Sequence, residues 1–322
     1  MSPIDSLPRA GHKGVLISSY AASPAHRDWD PTLEGMLLPA LCALPDVVGL
    51  EVPWLGRLHP HDDAWFLQNV PAGARLSITA LPYVMQRCAA DPHYGIASPD
   101  PAGRSAAIAD LRRLATDIQE LTQRSGAEVA VVSLHTAPAG AGDAAALIHS
   151  LIELADIDWG DAQLVIEHCD AVMPGRPFEK GFLPVADELA AISTTGTPVG
   201  MWLNWGRSAI ELRNADAVTT QIAEVAATGY LMGLTFSGAS ATESAYGPAW
   251  MDAHLPLLNT DPGSGSLLSD THVRAALFAA GDVPWLGVKT SRRPDDRTAE
   301  DVVGTVARNL EAIDRIRASL HD

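Results

Sequence analysis

Glu167, His168, Cys169 and Asp170 follow directly on the run Gln163-Leu164-Val165-Ile166. A short apolar run bounded by polar residues reads as a fully buried strand. Charged groups at the end of such a strand are costly to bury unless they are paired, hydrogen-bonded or used. A carboxylate, an imidazole, a thiol and a second carboxylate in succession could ligate a metal or move protons. Alternation along a strand divides them, because neighbours face opposite sides. Only one of Glu167 and His168 can face the strand's inner side; the other must look outward or sit on the turn above.

Similar polar residues close other apolar runs: Tyr20 and Ser23, Glu51, Thr79, His135, Asn204, Ser237 and Lys289. Lys289 is one of only three lysines, with Lys13 and Lys180, in a chain whose other cations are Arg. A lysine is a compact point charge whose pKa falls on burial. At a strand end it could serve as base, Schiff-base amine or oxyanion stabiliser. Each residue also has a structural alternative. Glu51 and Lys289 could be an ion pair closing a rim, His135 an ordinary hydrogen-bonded histidine, and Asp158 and Asp170 caps or loop residues. His59, His61, Asp62 and Asp63 have metal-binding chemistry, but a solvated loop whose Asp caps the next helix explains them as well.

The elements that carry these residues alternate. Strands are expected at 14–23, 47–54, 76–81, 129–135, 163–169, 198–204, 230–236 and 285–289. Helices are expected at about 33–44, 64–69, 103–124, 144–155, 182–192, from 205 to about 228, 269–280 and 299–320. Between strands three and four, Tyr83, Arg87, His93 and Tyr94 are expected in a long connection. The longest loop, 241–266, holds Glu243, Tyr246, Trp250, Asp252 and His254, and a loop after strand one holds His26. Alternating strands and helices imply parallel βαβ units, and eight of them predict a single (β/α)8 TIM barrel over 14–322. A flexible N-terminal tail is expected at 1–13. Active sites of such barrels sit where the strands end.

Composition excludes several function classes. The 322 residues are 47% hydrophobic and 19% charged, values of a globular protein. A net charge of −17 argues against a nucleic-acid partner. No apolar run reaches the ~20 residues that span a bilayer, and residues 1–13 lack an apolar signal-peptide core, so a cytoplasmic protein without a membrane partner is expected. Three cysteines without CxxC spacing imply neither a disulfide framework nor a zinc ribbon. No glycine-rich dinucleotide fingerprint, phosphate loop, Gly-x-Ser-x-Gly or His-Glu-x-x-His occurs. Tryptophan is over-used, 8 against 5 each for Phe and Tyr; its faces suit sugar stacking or core filling.

The strand ends carry a resemblance. Gly49-Leu50-Glu51, Val131-Val132-Ser133-Leu134-His135, Leu164-Val165-Ile166-Glu167 and Val199-Gly200-Met201-Trp202-Leu203-Asn204 with Arg207 resemble motifs of the xylose-isomerase-like TIM barrels. That superfamily includes sugar isomerases, epimerases, inosose dehydratases and an apurinic endonuclease. The runs Glu-His-Cys-Asp-Ala, Asn-Trp-Gly-Arg-Ser-Ala-Ile-Glu and Leu-Gly-Val-Lys are similar to an uncharacterised, domain-of-unknown-function branch, over most of 14–316. The resemblance selects Glu167 as the inward residue of its strand. It also implies a departure. Metal-binding members use acids on strands five, six and eight and a His on strand six or seven. Here those positions hold Glu167, Asn204, Lys289 and either Arg207 or Phe236 and Ser237. A divalent cation needs several oxygen or nitrogen ligands, so no metal or other cofactor is expected.

The resemblance thus implies a sugar or sugar-acid isomerase or epimerase acting by proton transfer, with a small-molecule carbohydrate as partner. Glu167 is expected as base, His135 as acid or hydrogen-bond partner and Lys289 as the charge in place of the metal. Glu51, His168, Asn204, Trp205, Arg207, Trp54 and Ser237 are the expected substrate-binding residues. Glu51, His135, Glu167 and Lys289 are expected around one cavity. A glycosidase, whose two carboxylates must flank the bond, and a non-catalytic sugar-binding descendant stay open. Association into a homo-oligomer is also left open.

Overall fold

A computed structural model of the chain describes residues 14–23 and 28–320. The expected tail at 1–13 and His26 lie outside the described residues. Eight parallel strands close in sequence order into a barrel, the fold class the alternation predicts. They are β1 (Val15–Ser18), β2 (Val47–Pro53), β3 (Arg75–Thr79), β4 (Glu128–Leu134), β5 (Gln163–Glu167), β6 (Val199–Asn204), β7 (Leu231–Phe236) and β8 (Trp285–Val288). Buried on both faces, such strands read as continuous apolar runs; every residue of β1, β6, β7 and β8 is buried.

The contact pattern divides the chain into two compact units. One is Val52–Trp202. It contains α3 (Asp63–Asn69), α4 (Leu81–Ala90), α5 (Pro101–Ser125), α6 (Ala144–Ala155) and α7 (Val185–Thr195). Asp100 caps α5 by accepting from Ala102 N and Gly103 N, and Gly126 ends it in the left-handed region at φ 72°. The helix α4 replaces the expected connection. Pro82 reads as a breaker in sequence, yet it stands in the first turn of α4, where a proline costs no helical hydrogen bond. Tyr83, Arg87 and Tyr94 gather on the buried Asp110 of α5: Tyr83 and Tyr94 donate to its Oδ2 at 3.2 and 3.1 Å, and Arg87 joins them with an ion pair.

The other unit comprises residues 14–51 and 203–320. It contains α1 (Ser19–Ala22), α2 (Pro31–Cys42), α8 (Trp205–Leu212), α9 (Ala217–Ala227), α10 (Asp270–Ala280) and α11 (Ala299–Ala318). In α11, Val302, Val306, Leu310 and Ile313 are buried at helical spacing, and Thr298 with Asp301 forms a capping box. Strand one is shorter than expected, because Ser19–Ala22 turns into a single helical turn closed by Ser23 N donating to Ser19 O. The expected helical region after strand six is two helices, divided where Arg213 takes φ 51°.

Candidate active site

In the first unit, β4 and β5 run in register with Ser133 beside Val165 and Leu134 beside Ile166. The next pair in line is His135 and Glu167. Facing residues of paired parallel strands share a side, and the two side chains meet: His135 Nε2 lies 3.1 Å from Glu167 Oε2. Their side chains are 0% and 2% exposed. An acceptor-only carboxylate at this distance makes Nε2 the protonated nitrogen. Glu167 in turn is in register with Trp202 of β6, a buried residue that sequence reasoning passed over. Its signal was parity, since it stands two residues before Asn204.

The neighbours of this pair face the other way. His168 Nδ1 lies 2.8 Å from Glu188 Oε2, and Thr136 Oγ1 donates to Glu188 Oε1 at 2.6 Å. Glu188 belongs to α7 and is fully buried. One carboxylate therefore holds the residue after His135 and the residue after Glu167 against the helix layer. That contact turns His168 toward the helix, so Glu167 has the inner side of β5. Sequence reasoning missed Glu188, which lies in an ordinary amphipathic helix. Asp170 accepts from the backbone N–H of Glu179 and Lys180 at 2.6 and 3.0 Å and closes the following loop. Trp54 is 1% exposed and its indole N–H donates to Asp117 Oδ2 at 2.7 Å. Its ring is edge-on to Tyr83, so it packs under α5 and offers no face to a sugar. His59 accepts from His61 N and Asp62 N, and Asp62 caps α3; this cluster is a cap and turn.

In the second unit, Ser18 is in register with Glu51, Ile17 with Val288 and Phe236 with Val288. Continuing one residue, Ser18, Glu51, Lys289 and Ser237 form one layer on one side of the sheet. Lys289 Nζ donates to Glu51 Oε1 at 2.9 Å, with side chains 1% and 14% exposed. The ammonium also sits 4.7 Å from the centroid of the Tyr20 ring, at cation–π distance. The four residues expected around one cavity are thus paired two and two, one pair in each unit.

Around Ser237 a second cluster forms. The Ser237 hydroxyl lies 3.0 Å from His254 Nδ1, Asp252 Oδ1 is 3.2 Å from the same nitrogen, and Arg207 Nε donates to Asp252 Oδ2 at 2.9 Å. Two glycines allow this crowding. A Cβ on Gly206 would stand 2.5 Å from Ser237 O, and one on Gly238 would stand 2.6 Å from Leu255 O. Asn204 caps α8, its Oδ1 accepting from Gly206 N and Arg207 N. Trp205 is fully buried with its ring 5.4 Å from that of His272 on α10; it too is a packing residue. Asp252 and His254 were visible in sequence only as members of a long loop.

The residues at the positions where the resemblance implies metal ligands have other partners here. The Asn204 oxygen is committed to a helix cap, Arg207 is an ion-paired cation, and Lys289 is an ammonium. Among the described residues no group of three His, Cys, Asp or Glu side chains could hold a metal ion. No helix among them is long and apolar enough to cross a membrane.

The model of the family described as domain of unknown function DUF4862 matches residues 16–304. The chain belongs to the DUF4862 family. An uncharacterised protein of Salmonella typhimurium is 34% identical over 283 residues, 86% of this chain and 89% of its own length. Among solved structures, D-allulose 3-epimerase from Methylomonas sp. in complex with D-allulose superposes with a TM-score of 0.58 at 15% identity, over 95% of this chain and 98% of that one. A xylose isomerase domain containing protein from Salmonella typhimurium gives 0.58 at 10% identity, over 95% and 99%. At such identities the likeness is one of fold: this DUF4862 member shares the (β/α)8 barrel fold of those structures.

Proposed function

We propose that this protein is a cytoplasmic isomerase or epimerase of a sugar or sugar acid, working by proton transfer and without a divalent metal. The observation that carries the reading is the buried His135–Glu167 pair at 3.1 Å, set at the ends of β4 and β5. Glu167 takes a proton from carbon beside a carbonyl, and His135 holds the carboxylate in orientation and shares the proton. The Lys289 ammonium, held by Glu51, supplies the positive charge that a divalent cation supplies in the metal-binding members of the superfamily. Hydroxyl groups of the substrate are bound by Glu51, Asn204 and Ser237. The partner is a small carbohydrate, neither nucleic acid nor membrane.

The test is incubation with ketoses, D-allulose and L-ribulose first, in deuterated water, with deuterium on carbon read by NMR and mass spectrometry. Wild type is expected to wash deuterium into at least one ketose, and Glu167→Gln to lose about 100-fold or more of that rate. Exchange that survives Glu167→Gln overturns the assignment. The replacement of two metal-site acids by Asn204 and Lys289, and of the histidine by Arg207, favours a second reading, a sugar-binding descendant without turnover. Sugar binding without deuterium uptake under every metal condition would establish it.

A further inference from the structure

We propose that His254 is a second proton-transfer residue, with Asp252 fixing its tautomer and Nε2 accepting a proton from a substrate hydroxyl. This rests on the carbohydrate reading above and deepens it, because it adds a group that acts on oxygen.

The argument starts from the contacts of the ring. Both Asp252 Oδ1, at 3.2 Å, and Ser237 Oγ, at 3.0 Å, approach Nδ1. A carboxylate only accepts, so Nδ1 carries the hydrogen and the neutral ring keeps its lone pair on Nε2. A Ser-His-Asp hydrolase places its serine on the opposite ring nitrogen from its acid. Here both fall on one nitrogen, so Ser237 is no nucleophile of that kind. Among the described residues nothing hydrogen-bonds Nε2, whose side chain is 13% exposed.

The surroundings keep the ring neutral. Burial is the largest influence and lowers the imidazole pKa; Lys289 and Arg207 lower it further, while Asp252 raises it. These are the charged groups facing it, from β8, α8 and its own loop. A neutral imidazole oriented by a carboxylate is the form that accepts a proton.

The backbone spends conformational energy to place this ring. His254 has φ 53°, a left-handed conformation uncommon for a residue with a side chain. Three contacts hold it there. Gly238 and Leu255 exchange backbone hydrogen bonds at 2.8 and 3.0 Å, Ser291 N donates to His254 O at 2.7 Å, and Ser291 Oγ donates to Ala253 O at 2.7 Å. The exits of β7 and β8 therefore both grip the segment that carries the imidazole. Ser291 stands two residues beyond Lys289, and Ser237 is level with Lys289 in the sheet register. The imidazole is thus built into the same strand ends as the ammonium. The chemistry that fits is a neutral polyhydroxy ligand. The anions Glu51 and Asp252 are each already matched by Lys289 and Arg207, and Nε2 offers an acceptor to a hydroxyl. The step is balanced: the O–H bond of a substrate hydroxyl breaks as the Nε2–H bond forms. The proton returns to oxygen when the carbonyl has moved.

The experiment is 15N-resolved NMR of the full chain at neutral pH, with and without D-allulose and L-ribulose, beside deuterium exchange by wild type, His254→Gln and Asp252→Asn. The expected result is a neutral ring protonated on Nδ1, an Nε2 resonance that moves on sugar addition, and exchange at least ~100-fold slower in His254→Gln. Asp252→Asn, a positioning change, should lower kcat and shift the acidic limb of its pH profile while KM changes little. Circular dichroism separates these effects from loss of fold. If His254→Gln does not fold, the wild-type Nε2 response decides alone. A ring protonated on Nε2, or a sugar that moves other resonances and leaves His254 unmoved, overturns this inference only. A panel of sugars that moves no resonance overturns the carbohydrate reading, and this inference falls with it.

Discussion

Glu188→Ala should both loosen the protein and slow it, through two contacts made outside the reacting centre. Glu188 is fully buried, accepts from Thr136 Oγ1 at 2.6 Å and lies 2.8 Å from His168 Nδ1. Its removal deprives a buried hydroxyl and a buried imidazole of their carboxylate. Losing a partner costs about 1–3 kcal/mol for each buried group, and the volume of the missing methylene and carboxylate adds a cavity cost. The sum is roughly 3–5 kcal/mol, the scale for breaking a buried charged contact. Thr136→Val removes one of the two contacts and should cost about 1–2 kcal/mol. Because both changes touch one hydrogen bond, a double-mutant cycle should show coupling of about 1 kcal/mol or more. Urea denaturation followed by circular dichroism reads these values.

The same change bears on rate. Thr136 and His168 adjoin His135 and Glu167, so releasing them shifts the pair proposed to move the proton. A displacement of about 1 Å in such a pair costs on the order of 100-fold. Deuterium exchange should fall mainly in kcat, since Glu188 faces the helix layer. Stability losses below about 0.5 kcal/mol for both variants, with no coupling, would refute the reasoning: Glu188 would then be a bystander of α7.

Three further outcomes follow from the geometry. Glu51→Gln should destabilise by roughly 1–3 kcal/mol, less than the 3–5 of a fully buried pair because Glu51 is 14% exposed. Adding Lys289→Met should restore much of that loss, and a purely additive double variant would count against the ion pair. His254 has a pKa lowered in the folded state by burial, so the unfolded chain binds the extra proton first. Its contribution to stability is whole above the ordinary histidine pKa of about 6.5 and declines as pH falls from there toward the folded value. Urea midpoints of wild type should therefore drop across that window, and the drop should shrink in His254→Gln. Burial pushes the thiols of Cys42 and Cys88 up to about 11. Alkylation of native protein by iodoacetamide at pH 8 should then be much slower than that of a model thiol; rapid labelling of either would show that the thiol is not held in this way.

The barrel was legible because its strands are apolar on both faces and each ends in a polar residue that breaks the run. Helices α5, α6 and α11 were legible in the spacing of their apolar residues. Helix α4 was hidden by Pro82, whose effect depends on whether it stands first or later in a helix. Register made the pairs: β4 beside β5 brings His135 to Glu167, and β1 beside β2 and β8 brings Glu51 to Lys289. Alternation explained why His168 leaves the strand's inner side, yet its partner Glu188 is 20 residues away and carries no local signal. Trp54 and Trp205 illustrate the opposite limit. Residue type allowed sugar stacking as well as core filling; an indole N–H bonded to Asp117 and a ring against His272 make them packing groups. The Asp252–His254 pair lay in a loop whose course is set by contacts distant in sequence, at Gly238 and Ser291.

Metal content and proton exchange measured on one preparation test the central claim most directly. Protein purified without added metal would be assayed by elemental analysis, dialysed against chelator, and incubated with the reactive ketose in deuterated water. The account predicts substoichiometric divalent metal and a deuterium wash-in rate unchanged by the chelator. One firmly held divalent ion per chain, or exchange lost on chelation and restored by manganese, would contradict it.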